Sequence, residues 1–144
     1  LVVDTNVLVY AADNRSEFHA DCLQQLDQCR RGPDPAFLTW GICYEFIRVV
    51  THPNFSRRPW STKNALNFVQ TLLESANFTV LSATQRHADV LSQTLNEYPQ
   101  LRGSIIHDVH TAVLMREHGI SQICTRDADF YRFPFLKVVD PLRQ

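Results

Sequence analysis

The chain has 144 residues, of which 44% are hydrophobic and 20% charged, and its formal net charge is −1. That length suits one domain with a core that needs no disulfide staple, and the balanced charge excludes a global attraction to nucleic acid or membranes, so any polyanion must be held by a local patch. No apolar run approaches a membrane span, no charged-then-apolar leader opens at Leu1, and the sequence starts without a Met, which leaves room for a segment upstream.

Residues 1–4 read as a first strand, followed by a short helix from Thr5 to about Ala12. Asp13-Asn14-Arg15-Ser16 breaks the pattern, and Ser16 or a neighbour caps a second helix that runs to about Arg31. Gly32-Pro33-Asp34-Pro35 is a stop, Ala36-Phe37-Leu38 a strand, and Thr39 the N-cap of a helix from Trp40 to about Thr51. The basic, proline-bounded loop from His52 to Pro59 leads to Ser61, which caps a helix carrying Ala65, Val69, Leu72 and Leu73 at helical spacing. Phe78–Leu81 is the next strand. A helix from Thr84 or Gln85 to about Glu97 is ended by Pro99, and the Arg102-Gly103-Ser104 turn opens a helix from Ile105 to His118 with Gly119 as its C-cap. Gln122–Thr125 is a strand, Asp127–Tyr131 a turn or short helix, and Leu136–Val139 the last strand.

Strands alternating with helices predict an α/β protein: one domain over residues 1–144, a three-layer α/β/α sandwich around a central, mainly parallel, twisted sheet. Cys22, Cys29, Cys43 and Cys124 lack the spacing of a zinc site or disulfide framework and are expected as reduced core or surface thiols in a cytoplasmic setting. Tyr10, Phe18, Cys22, Leu23 and Leu26 on the first two helices read most simply as core.

The informative residues are acids. Asp4 follows the apolar Leu1-Val2-Val3, where a buried strand ends and where ligands of open α/β sheets collect. Glu45 sits in the apolar helix Trp40–Thr51, at risk of burial, with Arg48 as its natural ion-pair partner. Asp108 borders the apolar stripe Ile105, Val109, Ala112 and Val113 in the first turn of its helix; Asp127 and Asp129 follow the fourth strand. Each has a local explanation, as a cap or a helix-dipole acid. Together they would repel unless a cation compensated them, and oxygen-only ligation selects a hard ion, Mg2+ or Mn2+, suited to phosphodiester cleavage.

Four blocks then resemble a family: Asp4-Thr5-Asn6-Val7-Leu8-Val9-Tyr10-Ala11; Tyr44-Glu45-Phe46 with Arg48-Val49-Val50-Thr51 and Pro53; His107-Asp108; and Thr125-Arg126-Asp127-Ala128-Asp129-Phe130. In order and across nearly the whole chain they resemble the PIN-domain ribonucleases, and among them the VapC toxins of bacterial toxin–antitoxin pairs. The resemblance implies a metal-dependent endoribonuclease in which Asp4, Glu45, Asp108 and Asp127 are catalytic, metal-binding acids, with Asp129 assisting or substituting for Asp127. Thr5 and Asn6 would support Asp4, and Thr125 would orient the site. It also implies an RNA substrate, tRNA or rRNA; a small VapB-like antitoxin whose C-terminal segment lies across or near the acids; and a homodimer, with part of the first two helices as dimer face or antitoxin groove.

Arg48, Arg57, Arg58, Lys63, Arg102 and Arg126 are candidates for a phosphate track, and Arg48, Arg102 and Arg126 are the expected RNA contacts, Arg102 and Arg126 because each lies near an acidic block. His107 and His110 are set aside as a turn residue and an exposed helix position. Two rival readings remain: a receiver-like, Mg-binding signalling module, which wants paired acids after strand one and a Lys after the last strand, and an inactive PIN scaffold that binds RNA or a protein partner.

Overall fold

In the computed structural model, which describes residues 1–143, five parallel strands form one sheet in the order β3-β2-β1-β4-β5. The elements run β1 (Val2–Val3), α1 (Thr5–Ala12), α2 (His19–Arg31), β2 (Ala36–Thr39), α3 (Trp40–Thr51), α4 (Thr62–Leu73), β3 (Phe78–Leu81), α5 (His87–Glu97), α6 (Ile106–Glu117), β4 (Gln122–Cys124) and β5 (Lys137–Val139). Helices cover both faces, as the strand–helix alternation predicts.

β1 is central because it is the most apolar strand: Val2 and Val3 are both fully buried, and Val2 stands in register with Phe37 of β2 on one side and Ile123 of β4 on the other. The chain steps from β1 to β2 to β3 in one direction, then returns to place β4 on the opposite side of β1. That reversal opens a crevice beyond the carboxyl ends of β1 and β4, the place where such sheets bind ligands. Asp4 and the segment 125–129 leave the sheet there, and the Asp4 N–H donates to the Cys124 carbonyl at 3.0 Å.

Local capping sets the helices. Thr39 accepts from the Ile42 N–H at 3.1 Å and Ser61 from the Asn64 N–H at 3.1 Å, as expected from sequence. Gly119, at φ +67°, closes α6 in the left-handed region that glycine tolerates. Three helices begin later than their sequence predicts. Ser16 caps nothing: its hydroxyl accepts from the Phe18 N–H within a turn, and α2 starts at His19. Thr84 likewise accepts from the Arg86 N–H, so α5 starts at His87, and residues 103–105 form a 3-10 turn ahead of α6. Ser and Thr bond local backbone outside helices as readily as they cap them.

The core includes Phe46, Leu8, Leu38, Met115, Phe130 and Phe133, and Phe46 stacks on Phe68 at 4.8 Å between ring centroids. All four cysteines are free and buried; burial raises Cys22 and Cys43 to about 11 and Cys124 to about 12, so they are inert core thiols. Leu23 departs from its expected core place and is 45% exposed.

Sequence reasoning passed over Glu117, whose side chain is fully buried. It accepts from the Thr84 N–H at 2.8 Å, the Thr84 hydroxyl at 2.7 Å and His87 Nδ1 at 2.6 Å. Burial pushes its carboxyl up, but these donors outweigh it and hold the group below the usual Glu value. Its stabilisation is therefore present above the unfolded-state pKa and is lost as the pH falls through the lowered folded value. Glu117→Ala, which strands three donors, is expected to cost about 2–4 kcal/mol in urea denaturation at pH 7. A loss below about 0.5 kcal/mol would show the network to be dispensable.

Candidate metal centre

Asp4 is the N-cap of α1 and is only 7% exposed. Its Oδ1 accepts from the Thr5 N–H at 2.8 Å; its Oδ2 accepts from Asn6 Nδ2 at 2.8 Å and the Thr125 hydroxyl at 2.7 Å. Burial drives its pKa above the ordinary Asp value, against the pull of these three donors. Thr125, itself buried, is the hub: its oxygen also accepts from Asn6 Nδ2 at 2.9 Å and the Asp127 N–H at 2.9 Å. Asn6 Oδ1 accepts from the Arg126 N–H at 3.0 Å, so the ends of β1 and β4 are bonded into one rigid edge.

On that edge Asp108, Asp127 and Asp129 come together, with one carboxylate oxygen from each lying within 4.8 Å of the others. Asp127 Oδ1 accepts from the Asp129 N–H at 2.9 Å, capping the 3-10 turn Ala128–Arg132 and fixing how the two acids follow β4. Burial first, and then the charges of Asp4, Asp127 and Asp129, push Asp108 up to about 7. Among the described residues, none of these four acids forms an ion pair with a basic side chain. A group of clustered carboxylates with no side-chain cation to compensate them, held by hydrogen bonds, fits a hard divalent ion with oxygen ligands.

A cleft of about 600 Å3 opens over the acids, lined among others by Asp4, Thr5, Asn6, Glu45, Asp108 and Asp127. Glu45 stands on its α3 wall, outside the set formed by Asp108, Asp127 and Asp129. It is 45% exposed rather than buried, and its two oxygens take Arg48 Nη2 at 2.6 Å and Nε at 2.9 Å. The Arg48 hydrogen bonds hold the Glu45 carboxyl below its usual value. Arg126 turns away from the cleft: its guanidinium lies 3.9 Å from the Phe18 ring centroid and 3.7 Å from Asp140. Arg102 is exposed and does not line the cleft.

His107 and His110, set aside on sequence, both line the cleft. Partial burial, reinforced by nearby His87, holds the His110 imidazole below its ordinary pKa. Gly41 explains its seat: a Cβ there would meet His110 Nδ1 at 3.3 Å. The signal was present in the sequence, since His110 lies two positions after Asp108, but nothing there paired it with Gly41.

The PIN domain family model matches residues 1–136. The chain belongs to the PIN-domain family. Within that family it is 34% identical over 132 residues to Ribonuclease VapC37 of Mycobacterium tuberculosis, covering 92% of this chain and 90% of the relative. Ribonuclease VapC48 of the same species is 28% identical, covering 96% and 94%. Among solved structures, this PIN domain is similar to Mycobacterium tuberculosis VapC20, described as a sarcin-ricin loop cleaving toxin, with a TM-score of 0.68, 17% identity and coverage of 96% and 98%. It is also similar to a chain of VapBC2 from Rickettsia felis bound to a promoter DNA fragment, with a TM-score of 0.67, 14% identity and coverage of 96% of each chain. These two likenesses carry the fold.

Because Thr125 serves Asp4, Asn6 and Asp127 at once, Thr125→Val is expected to weaken Mn2+ binding by the PIN domain about 10–100-fold, read by titration calorimetry. Unchanged affinity would show that the threonine only fills space.

Proposed function

We propose that this PIN domain is a metal-dependent endoribonuclease, the toxin of a VapBC-type pair, cutting structured RNA of the tRNA or rRNA class. The observation that carries the reading is the convergence of Asp108, Asp127 and Asp129 beside buried Asp4, without a basic partner among the described residues, in the crevice between β1 and β4. The VapC ribonuclease relatives and the sarcin-ricin loop cleaving neighbour support the reaction and the substrate class.

A bound Mg2+ or Mn2+ supplies charge at the scissile phosphate and lowers the pKa of water. The chain's own residues do the rest. Asp4, locked by Thr5, Asn6 and Thr125, gives the cleft a fixed carboxylate, and Asp108, Asp127 and Asp129 would hold the ion beside it, Asp108 as the ionised carboxylate. Glu45 and Arg48 stand on the cleft wall as an ion pair, and Arg48 would meet a phosphate oxygen only if Glu45 left it for a cation. Arg102 and Arg126 remain in the proposal only as outer contacts, since neither lines the cleft.

A small VapB-like antitoxin is the proposed inhibitor, in line with the VapBC complexes among the structural neighbours. Trp40 and Tyr44, one turn apart on α3 and 50% and 73% exposed, lie beside the cleft residues Gly41 and Glu45; apolar surface of this kind marks protein contact, with antitoxin or in a homodimer. No described helix is long and apolar enough to cross a membrane, and a cytoplasmic location is part of the same proposal. The receiver-like alternative wants a lysine at the acidic edge, whereas Lys137 is the first residue of parallel β5, at the opposite edge.

The test is cleavage of a panel of structured RNAs with Mg2+, Mn2+ or EDTA. Discrete cuts that require metal and stop on adding the cognate antitoxin are expected; no cutting under any metal would overturn the proposal.

A further inference from the structure

The acidic cleft has little in it to attract a phosphate chain. Arg48 is tied to Glu45, Arg126 to Phe18 and Asp140, and Arg102 lies outside. Yet from Phe46 to Leu73 the sequence has no acidic residue at all, while Arg48, Arg57, Arg58 and Lys63 carry four positive charges in a chain of net −1.

The fold sets part of that stretch beyond the end of the cleft. α1 and α3 form its two walls: Val9 and Tyr10 face it from one, Arg48 and Val49 from the other. Just past the ends of both helices a second cavity of about 550 Å3 follows, with Arg15, Arg57, Arg58 and Trp60 in its lining. Arg15 ties the two walls together there, donating to the Phe55 carbonyl at 3.0 Å while paired with Asp13 at 2.8 Å. Ala12, in the lining of this cavity, is eight positions on from Asp4 along α1, a rise of roughly 12 Å.

Arg57 and Arg58 are exposed and have no ion-pair partner among the described residues. Their loop is nonetheless held. The Phe55 N–H donates to the His52 carbonyl at 2.9 Å, the Arg58 N–H to Ser56 Oγ at 3.2 Å, and the Trp60 N–H to the Val50 carbonyl at 2.9 Å. Two unpaired guanidiniums on an ordered loop, lining a cavity just past the α1 and α3 ends of the acidic cleft, are suited to bidentate capture of phosphate.

We propose that Arg57 and Arg58 form a second phosphate-binding site, which grips the RNA backbone one helix-length from the scissile bond and aligns the strand along the α1–α3 trough. They are positioning residues. The proposal rests on the ribonuclease reading given above.

The test is steady-state cleavage of a long loop RNA across a salt series, with the parent, Arg57→Ala/Arg58→Ala, Arg57→Lys/Arg58→Lys and, as a control for lost charge elsewhere, Arg31→Ala. For the double alanine variant KM is expected to rise about tenfold with kcat within about twofold, and the slope of log(kcat/KM) against log salt to become shallower by about 1.4, two phosphate contacts' worth. The lysine pair restores most of the slope, and Arg31→Ala changes neither quantity. An unchanged slope, an equal fall in kcat, or an effect confined to inhibition by antitoxin would overturn the proposal. Binding of labelled RNA to Asp4→Asn protein separates the two readings: if the parent cuts nothing but the arginine substitutions still weaken binding, the nuclease reading fails and the phosphate site stands.

Discussion

Asp4→Asn is expected to reduce metal-dependent RNA cleavage by roughly 10^3-fold while the protein stays folded. The carboxylate is buried and both of its oxygens accept hydrogen bonds within the fold, Thr5 on one and Asn6 and Thr125 on the other, which leaves a lone pair of the first free for a cation. An amide cannot satisfy both sides. Whichever way it is turned, its NH2 faces a donor, which costs about 1–3 kcal/mol, and removal of a desolvated charge offsets part of that loss. Far-UV circular dichroism and a thermal melt within a few degrees of the parent would establish the fold, and initial rates at saturating Mn2+ would give the activity. Parental rates would remove Asp4 from the chemistry and leave it as a helix cap.

Asp108→Asn is expected to act in opposite directions on stability and on catalysis. In the folded, metal-free protein burial and the neighbouring acids push Asp108 from the ordinary 3.8 up to about 7, so between these values the native state holds a proton that the unfolded chain has released. An acid raised in this way is destabilising once ionised: stability of the metal-free protein falls as the pH rises from about 4 to about 7. Asp4, also raised, acts in the same direction. In EDTA at pH 8, Asp108→Asn should therefore melt several degrees above the parent, and the two should converge only near pH 3, where Asp108 is protonated in the folded and the unfolded chain alike. Added Mn2+ should reverse the order, raising the parent's midpoint and leaving the variant's nearly unchanged. A variant that melts below the parent at pH 8 in EDTA would mean that repulsion among the acids is not what sets the Asp108 environment.

Much of this was legible in the residues. Val2-Val3 followed by Asp4 marks a buried strand ending in a carboxylate, and strand–helix alternation leads from there to a parallel sheet. Thr39 and Ser61 are caps by residue type and cap as expected. The Glu45–Arg48 pair follows from spacing alone. What escaped depends on contacts between residues distant in the chain. The buried Glu117 network joins α6 to the start of α5, and no local pattern announces it. Arg126 adjoins the acidic block in sequence, yet it stacks on Phe18, 108 positions away, and faces Asp140 instead of the cleft. Ser16 and Thr84 carry good capping side chains but spend them on turns. Asp129 joins Asp108 and Asp127 more closely than Glu45 does, a consequence of the 3-10 turn after β4.

The central claim is that one set of carboxylates both holds a divalent ion and makes the chain a ribonuclease. Mn2+ titration monitored by calorimetry, run in parallel with RNA cleavage over the same metal concentrations, tests it most directly in the parent and in Asp127→Asn. Binding and cleavage should saturate together in the parent and weaken together in the variant. Cleavage that persists in EDTA, or Mn2+ bound with parental affinity by Asp127→Asn, would contradict it.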